Sequence, residues 1–310
     1  MRLSVGIPVH NEQEVLPELL LRLTKVLDAL PGGAHEIVFV DDGSTDDSRS
    51  LLIEAARRDP RIRLIVLSRN FGHQAALGAA LDHVTGDAVV LMDADLQDEP
   101  EIIPALVKHH QAGADVVYAR RATREEGWIL RTSYRIFYRI IASLSEVHLP
   151  RDAGDFALLG APVIKAMRQL PEQQRYLRGL RAWVGFEQVA VDVQRGPRFA
   201  GRPKYTAWKL ITLALDGICS FSVAPLRAAT GAGLLAIAAV GLFALYAVYV
   251  RLATGAVPEG FTASLLVMTF LAGVQLFFLG VIGEYLGRVY GETKRRPAYV
   301  IARIIGPPDG

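Results

Sequence analysis

Two carboxylates one residue apart, Asp93 and Asp95, stand at the end of the apolar run Ala88-Val-Val-Leu-Met92. A continuous apolar run that ends in charge reads as a strand buried on both faces, and α/β sheets bind their ligands beyond the carboxyl ends of such strands. If strand geometry persists, alternation sends both carboxylates to one side, where they could hold one hard divalent cation, Mg²⁺ or Mn²⁺, together with a phosphate. A bare Asp-x-Asp also decorates solvated loops; its place after a buried strand is what gives it weight. A second acidic pair, Asp41 and Asp42, ends Glu36-Ile-Val-Phe-Val40, and a third, Asp152 and Asp155, falls in a segment read as a turn, Asp152-Ala-Gly-Asp-Phe156.

The elements that must position these groups alternate regularly. Leu3 to Pro8 reads as a strand, and Asn11-Glu-Gln-Glu14 opens a helix to about Leu30, with apolar positions at Val15, Leu19, Leu23, Val26, Leu27 and Leu30. Strands follow at 36–42, 61–68, 88–93 and 115–119, with helices at 48–57, 74–83, 100–111 and 161–170 between and after them. The pattern predicts an α/β domain with a mostly parallel sheet covered on both faces. His73 falls in the loop after the third strand, where it either lines a site or serves the structure. His109 and His110 are adjacent on a helix and lack the spacing of zinc ligands.

After Arg120 the rhythm breaks. Trp128 to Leu144 sets Ile129, Leu130, Ile136, Phe137, Ile140 and Ile141 among Arg131, Arg135 and Arg139, a basic amphipathic helix that either lies on a membrane or packs with an exposed basic face. A basic loop, Gly196 to Tyr205, precedes a helix at 208–221. Ala228 to Val250 and Phe261 to Leu286 each exceed the roughly 20 apolar residues needed to cross a bilayer. Lys204, Lys209 and Arg227 precede this pair and Arg288, Lys294, Arg295 and Arg296 follow it, while the connector 251–260 holds one basic residue. The bias puts both chain ends in the cytoplasm. Glu284 and Arg288 are spaced to pair. The expected division is a catalytic domain at 1–200, a basic loop and interfacial helix at 201–227, transmembrane helices at 228–250 and 261–286, and a cytoplasmic tail at 287–310.

Composition agrees with a chain partly in lipid: 310 residues, 51% hydrophobic, mean hydropathy +0.26. A formal net charge of +2 implies no nucleic-acid partner, and Cys219 as the sole cysteine excludes an intrachain disulfide. The amino terminus carries too short an apolar run for a signal peptide. Trp183 and Tyr205 are candidates for a membrane interface.

With Asp41-Asp-Gly-Ser44, Asp93-Ala-Asp-Leu-Gln-Asp98 and a membrane hairpin together, the chain resembles the polyprenyl-phosphate glycosyltransferases of glycosyltransferase family 2. That group includes GtrB-like undecaprenyl-phosphate glucosyltransferases and the dolichol-phosphate mannose synthases. Ser68-Arg-Asn-Phe-Gly-His-Gln74, Gly154-Asp-Phe156 and Phe221-Ser-Val-Ala-Pro-Leu-Arg227 look like the bacterial branch. The resemblance implies a GT-A, Rossmann-like fold at the cytoplasmic face of the inner membrane, moving a sugar with inversion from a nucleotide diphosphate sugar to a polyprenyl phosphate. UDP-glucose is the expected donor, with GDP-mannose or another sugar donor as the alternative.

Pro8, Glu12, Asp41, Asp42, Asp93 and Gln97 would then border the nucleotide sugar, and Asp93 and Asp95 would hold Mg²⁺ or Mn²⁺. Asp155, or failing it Asp152, would act as base or orient the acceptor, and Arg131, Arg202 and Lys204 would bind lipid phosphate. A homo-oligomer stays open. Two rivals are a membrane-anchored nucleotide-sugar binding protein without turnover and a processive synthase; for the second, Gln174-Arg-Tyr-Leu-Arg178 is a poor echo of the acceptor-side motif and two helices are too few.

Overall fold

The computed structural model describes residues 1–121, 153–172, 175–193, 224–254 and 260–306. The expected amphipathic helix at 128–144, the basic loop, the helix at 208–221 and the residues Arg131, Asp152, Arg202 and Lys204 lie outside them.

The described chain forms two compact units, one holding residues up to Val193 together with 296–306, the other the two long carboxy-terminal helices. The first is built on an eight-stranded mixed sheet of order β7-β5-β6-β4-β1-β2-β3-β8. Its centre is parallel: β1 (Leu3–Val9) pairs with β2 (Glu36–Asp41) and β4 (Ala88–Leu91), and β2 with β3 (Ile62–Leu67). All residues of these four strands are buried, which is why they read as mainly apolar runs; the buried charges Glu36 and Arg63 lie 3.3 Å apart across β2 and β3. Helices α1 (Leu16–Ala29), α2 (Ser48–Arg58), α3 (His73–His83) and α4 (Ile103–Gln111, after a 3₁₀ turn at Pro100–Ile102) connect the strands up to β5 (Val116–Arg121). The helix α1 buries Leu16, Leu19, Leu23, Val26 and Leu27, one face at helical spacing. α3 lies so close to β1 that a Cβ on Gly6 would sit 3.0 Å from the Ala80 Cβ.

Several expectations need correction. Asn11-Glu-Gln-Glu14 does not open α1: Asn11 takes φ 57°, and Asn11, Glu12 and Gln13 donate their backbone N–H groups to Ser44 Oγ, Ser48 Oγ and Asp46 Oδ2. These residues therefore tie the β1 loop to the β2 loop, and the helix starts at Leu16, with Pro17 in its first turn. The segment read as a turn around Asp155 is a strand, β6 (Ala153–Gly160), antiparallel to both β4 and β5. Helices α5 (Ala161–Arg168) and α6 (Leu177–Trp183) follow it, then β7 (Gln188–Val193), parallel to β5. Residues 301–305 are no tail. They form β8 (Ile301–Ile305), antiparallel to β3 at the sheet edge.

The second unit contains α7 (Ala224–Thr254) and α8 (Phe261–Thr293). Within them Leu226–Ala253 and Val267–Thr293, with mean hydropathies of 2.3 and 1.8, are long and apolar enough to cross a membrane. Their large apolar side chains, Leu235, Leu252, Met268 and Phe270 among them, face outward. Glu284 and Arg288 pair, with Arg288 Nη2 2.8 Å from Glu284 Oε1.

Candidate active site

The carboxyl ends of β1, β2 and β4 fall on one edge of the sheet, and the acidic pairs gather there. Asp41, the last residue of β2, is fully buried; its Oδ1 accepts from the Ser44 N–H at 2.9 Å and its Oδ2 from Arg49 Nε at 2.6 Å. Asp42 accepts from the N–H groups of Phe71 and Gly72 at 2.7 and 3.0 Å. It thereby fixes the loop after β3 against the end of β2. Gly43, at φ +69°, allows that closeness, since a Cβ there would lie 2.6 Å from Asn70 N. His10 Nδ1 donates to the Asp42 carbonyl at 2.9 Å, and Asn70 Nδ2 lies 3.3 Å from both ring nitrogens. Pro8 and Glu12 belong to the same corner, at the end of β1 and in the loop after it.

Asp93 lies two residues beyond the end of β4, so strand alternation does not set its relation to Asp95. The chain turns instead: Leu96 is buried with φ 56°, and the Gln97 N–H donates to Asp95 Oδ1 at 3.1 Å. A branched apolar residue held at positive φ is uncommon and marks a constrained turn. Asp93 Oδ1 is buried and has no hydrogen-bond donor among the described residues. Burial, joined by repulsion from Asp155 and Asp95, raises the Asp93 pKa even against the pull of His73. Among the described residues no three His, Cys, Asp or Glu side chains form a protein-only metal cage. Two carboxylates, one with an orphaned oxygen, nevertheless suit an ion of the Mg²⁺ or Mn²⁺ kind that completes its shell with substrate phosphate and water.

Sheet register brings Asp155 to Asp93. Leu91 of β4 faces Ala157 of antiparallel β6, so the residue two before Ala157 falls beside the residue two after Leu91. The Asp155 side chain is 5% exposed, and Arg178 of α6 grips it in a fork, Nε to Oδ1 at 2.7 Å and Nη2 to Oδ2 at 2.9 Å. His73, the first residue of α3, places Nε2 3.5 Å from Asp93 Oδ1 and 3.6 Å from Asp155 Oδ2. Burial alone would raise the Asp155 pKa; the contact with His73 and the charge of Arg178 outweigh it and hold this carboxyl well below the usual range. Burial works the other way on His73, yet the two carboxylates raise its pKa.

Asp93, Asp98, Gly154, Asp155, Phe156 and Arg178 line one small pocket. Beside it Arg181 is 3% exposed, its Nε and Nη2 donate no hydrogen bond among the described residues, and burial pushes its pKa down to about 10. A larger hollow, lined by Val84, Lys165 and Arg168 among others, opens near the amino end of β4 and holds no carboxylate.

Of the residues singled out in the sequence, the structure thus gathers Pro8, Glu12, Asp41, Asp42, Asp93, Asp95, Gln97 and Asp155 along one edge. Sequence reasoning left His73 undecided, set Arg178 aside as part of a poor echo of an acceptor-side motif, and missed Arg181. The available signal was three arginines at 175, 178 and 181, a spacing that puts neighbouring members on one side of a helix.

Comparison with known proteins gives these observations a context. The family model described as glycosyl transferase family 2 matches residues 4–167. An uncharacterized glycosyltransferase of Synechocystis is 42% identical over 307 residues, 99% of this chain and 96% of that protein. A bactoprenol glucosyl transferase of Shigella phage SfX is 39% identical over 302 residues, 97% of this chain and 99% of that protein. Among solved structures, glucosyl-3-phosphoglycerate synthase from Mycobacterium tuberculosis, in complex with Mn²⁺, UDP-glucose and phosphoglyceric acid, superposes with a TM-score of 0.51. It covers 70% of this chain and 77% of that one at 19% identity, a likeness of fold alone.

Proposed function

The chain belongs to glycosyl transferase family 2, and from that premise we propose that it moves a sugar, with inversion, from a nucleotide diphosphate sugar to the phosphate of a polyprenyl lipid. The donor we favour is UDP-glucose. The observation that carries the reading is the joining of a metal-ready carboxylate, Asp93, to a carboxylate already clamped by a guanidinium, Asp155, in one pocket. The full-length relatives named as bactoprenol glucosyl transferases and the two membrane-length helices support the lipid acceptor.

In this reading Asp93 and Asp95 hold Mg²⁺ or Mn²⁺, which when bound would act as a Lewis acid on the donor's diphosphate. Pro8, Glu12, Asp41, Asp42 and Gln97 border the nucleotide. Asp41 and Asp42 act partly by shaping that border, since their oxygens already accept from Ser44, Arg49, Phe71 and Gly72. An oxygen of the acceptor phosphate attacks the anomeric carbon as the nucleoside diphosphate leaves on the opposite face. A phosphate is anionic at neutral pH and needs no strong base. Asp155, with a lowered pKa and both oxygens engaged, is suited to orienting the acceptor. Asp152, Arg131, Arg202 and Lys204 complete the proposed lipid-phosphate side. The catalytic unit faces the cytoplasm and the helices cross the inner membrane twice.

Purified protein in vesicles holding undecaprenyl phosphate, given UDP- and GDP-sugars with Mg²⁺ or Mn²⁺, should move label from UDP-glucose into the lipid. Transfer from GDP-mannose alone would change the donor; label appearing only as free sugar would overturn the acceptor.

A further inference from the structure

The fork between Asp155 and Arg178 leaves part of the guanidinium unused. A guanidinium carries five N–H donors. Asp155 takes one from Nε and one from Nη2, along one edge of the plane. The remaining Nη2 hydrogen and both hydrogens of Nη1 make no hydrogen bond among the described residues, and they lie along the end of the group, the edge that grips two oxygens of a phosphate. The Arg178 side chain is 36% exposed where Asp155 is 5% exposed, so the carboxylate lies beneath and the guanidinium reaches the pocket.

Charge points the same way. A phosphate entering here meets Asp93, Asp98 and Asp155. The cation suited to Asp93 and Asp95 answers the donor's diphosphate, so within this pocket the acceptor's charge falls to the protein's own cation, Arg178. Arg178 is the one cationic side chain among the described residues lining this pocket, and behind it Arg181 is buried with Nε and Nη2 making no hydrogen bond among the described residues, a second positive charge close by.

We propose that Arg178 is the group that grips the acceptor's phosphate, through the guanidinium edge that Asp155 leaves open, and that Asp155 is the positioning residue that aims it. This rests on the lipid-phosphate transfer proposed above. Leu177 is fixed from behind by donating its N–H to Gln74 Oε1 at 3.0 Å, which holds the start of α6 while the Arg178 side chain faces its ligand.

The test uses the full chain in vesicles with undecaprenyl phosphate and UDP-glucose, and measures KM for the lipid, kcat, and UDP-glucose affinity by calorimetry with Mn²⁺. Arg178→Gln should raise the acceptor KM about 10-fold or more, the loss expected for hydrogen bonds to a charged group, and leave donor affinity within about twofold. Arg178→Lys, which keeps charge without the fork, should recover part of the loss; it decides by the same split should Arg178→Gln fail to fold. Asp155→Asn should copy the acceptor effect. Weakened donor affinity with an unchanged acceptor KM would assign Arg178 to the donor and overturn the proposal, as would a fall in kcat and melting temperature with both affinities intact. A wild-type protein that glucosylates no lipid removes the transfer reading itself; a wild type that transfers beside variants with unchanged acceptor KM removes only this one.

Discussion

Asp93 and Asp155 share one imidazole: His73 Nε2 stands 3.5 Å from an oxygen of the first and 3.6 Å from an oxygen of the second. The two carboxylates nevertheless differ in state. Asp155 has Arg178 and is held strongly ionised, whereas burial and its acidic neighbours raise Asp93. Such divergence between adjacent carboxyl groups separates roles in a site. Here it distinguishes a carboxylate with an unpartnered oxygen, the one proposed to take a cation, from one already paired with a guanidinium.

Asp93 therefore carries a charge that the metal-free fold tolerates poorly. Asp93→Asn should raise the melting temperature of metal-free protein by a few degrees, at about 2–4 °C per kcal/mol for a domain of this size. It should also abolish the stabilisation that millimolar Mn²⁺ gives the wild type, and Asp95→Asn should weaken it. Glycosyl transfer should fall by orders of magnitude in both variants. A Mn²⁺-induced shift of wild-type size in both would move the metal elsewhere.

Asp155 gives a pH signature. Its folded pKa lies below its unfolded value of about 3.9, so the stability it contributes is fully present above pH 4 and is lost as pH falls toward the lower, folded value. Urea midpoints of the wild type should thus drop more steeply below about pH 4 than those of Asp155→Asn. Parallel curves would show that the fork adds nothing to folding.

The topology is open to chemical labelling. With Cys219→Ser as background, a thiol introduced at Thr254 should react with an impermeant maleimide from outside the cell, because Lys and Arg cluster beyond the helix pair and not between its members. Reaction only after permeabilisation would invert the orientation.

Tyr299 donates its hydroxyl to Asp82 Oδ2 at 3.0 Å, and Arg175 Nη1 reaches both oxygens of the same carboxylate at 2.9 Å. Tyr299→Phe removes one hydrogen bond and leaves the ion pair, so a loss of about 0.5–1.5 kcal/mol in urea unfolding is expected. A loss indistinguishable from zero would show that water replaces the hydroxyl without cost.

The parallel centre of the sheet was legible because burial on both faces writes itself as mainly apolar sequence, and Asp41 and Asp93 were conspicuous as the charges that end it. β6 was not: Gly154 and Asp155 are residues that favour a turn, and pairing with β4 and β5 overrides that local preference. The start of α1 was misjudged for a related reason, since the polar residues that resemble a cap are used to join two loops. Arg178 carries only a weak local mark, a poor motif echo and the spacing of three arginines. Its meaning comes from register, and only the antiparallel alignment of β6 on β4 sets Asp155 beside Asp93.

β8 has a practical consequence for anyone wishing to study the enzyme without its membrane. The strand lies after both long helices in sequence, yet it pairs along the outer edge of β3, and the Ser68 N–H donates to Val300 O at 2.8 Å. Ending the chain before the helices would uncover Ile62–Leu67, an apolar strand whose bare edge invites other chains to add to it. A water-soluble version has to be made by splicing, with residues 296–306 rejoined to the catalytic unit through a linker in place of the excised helices.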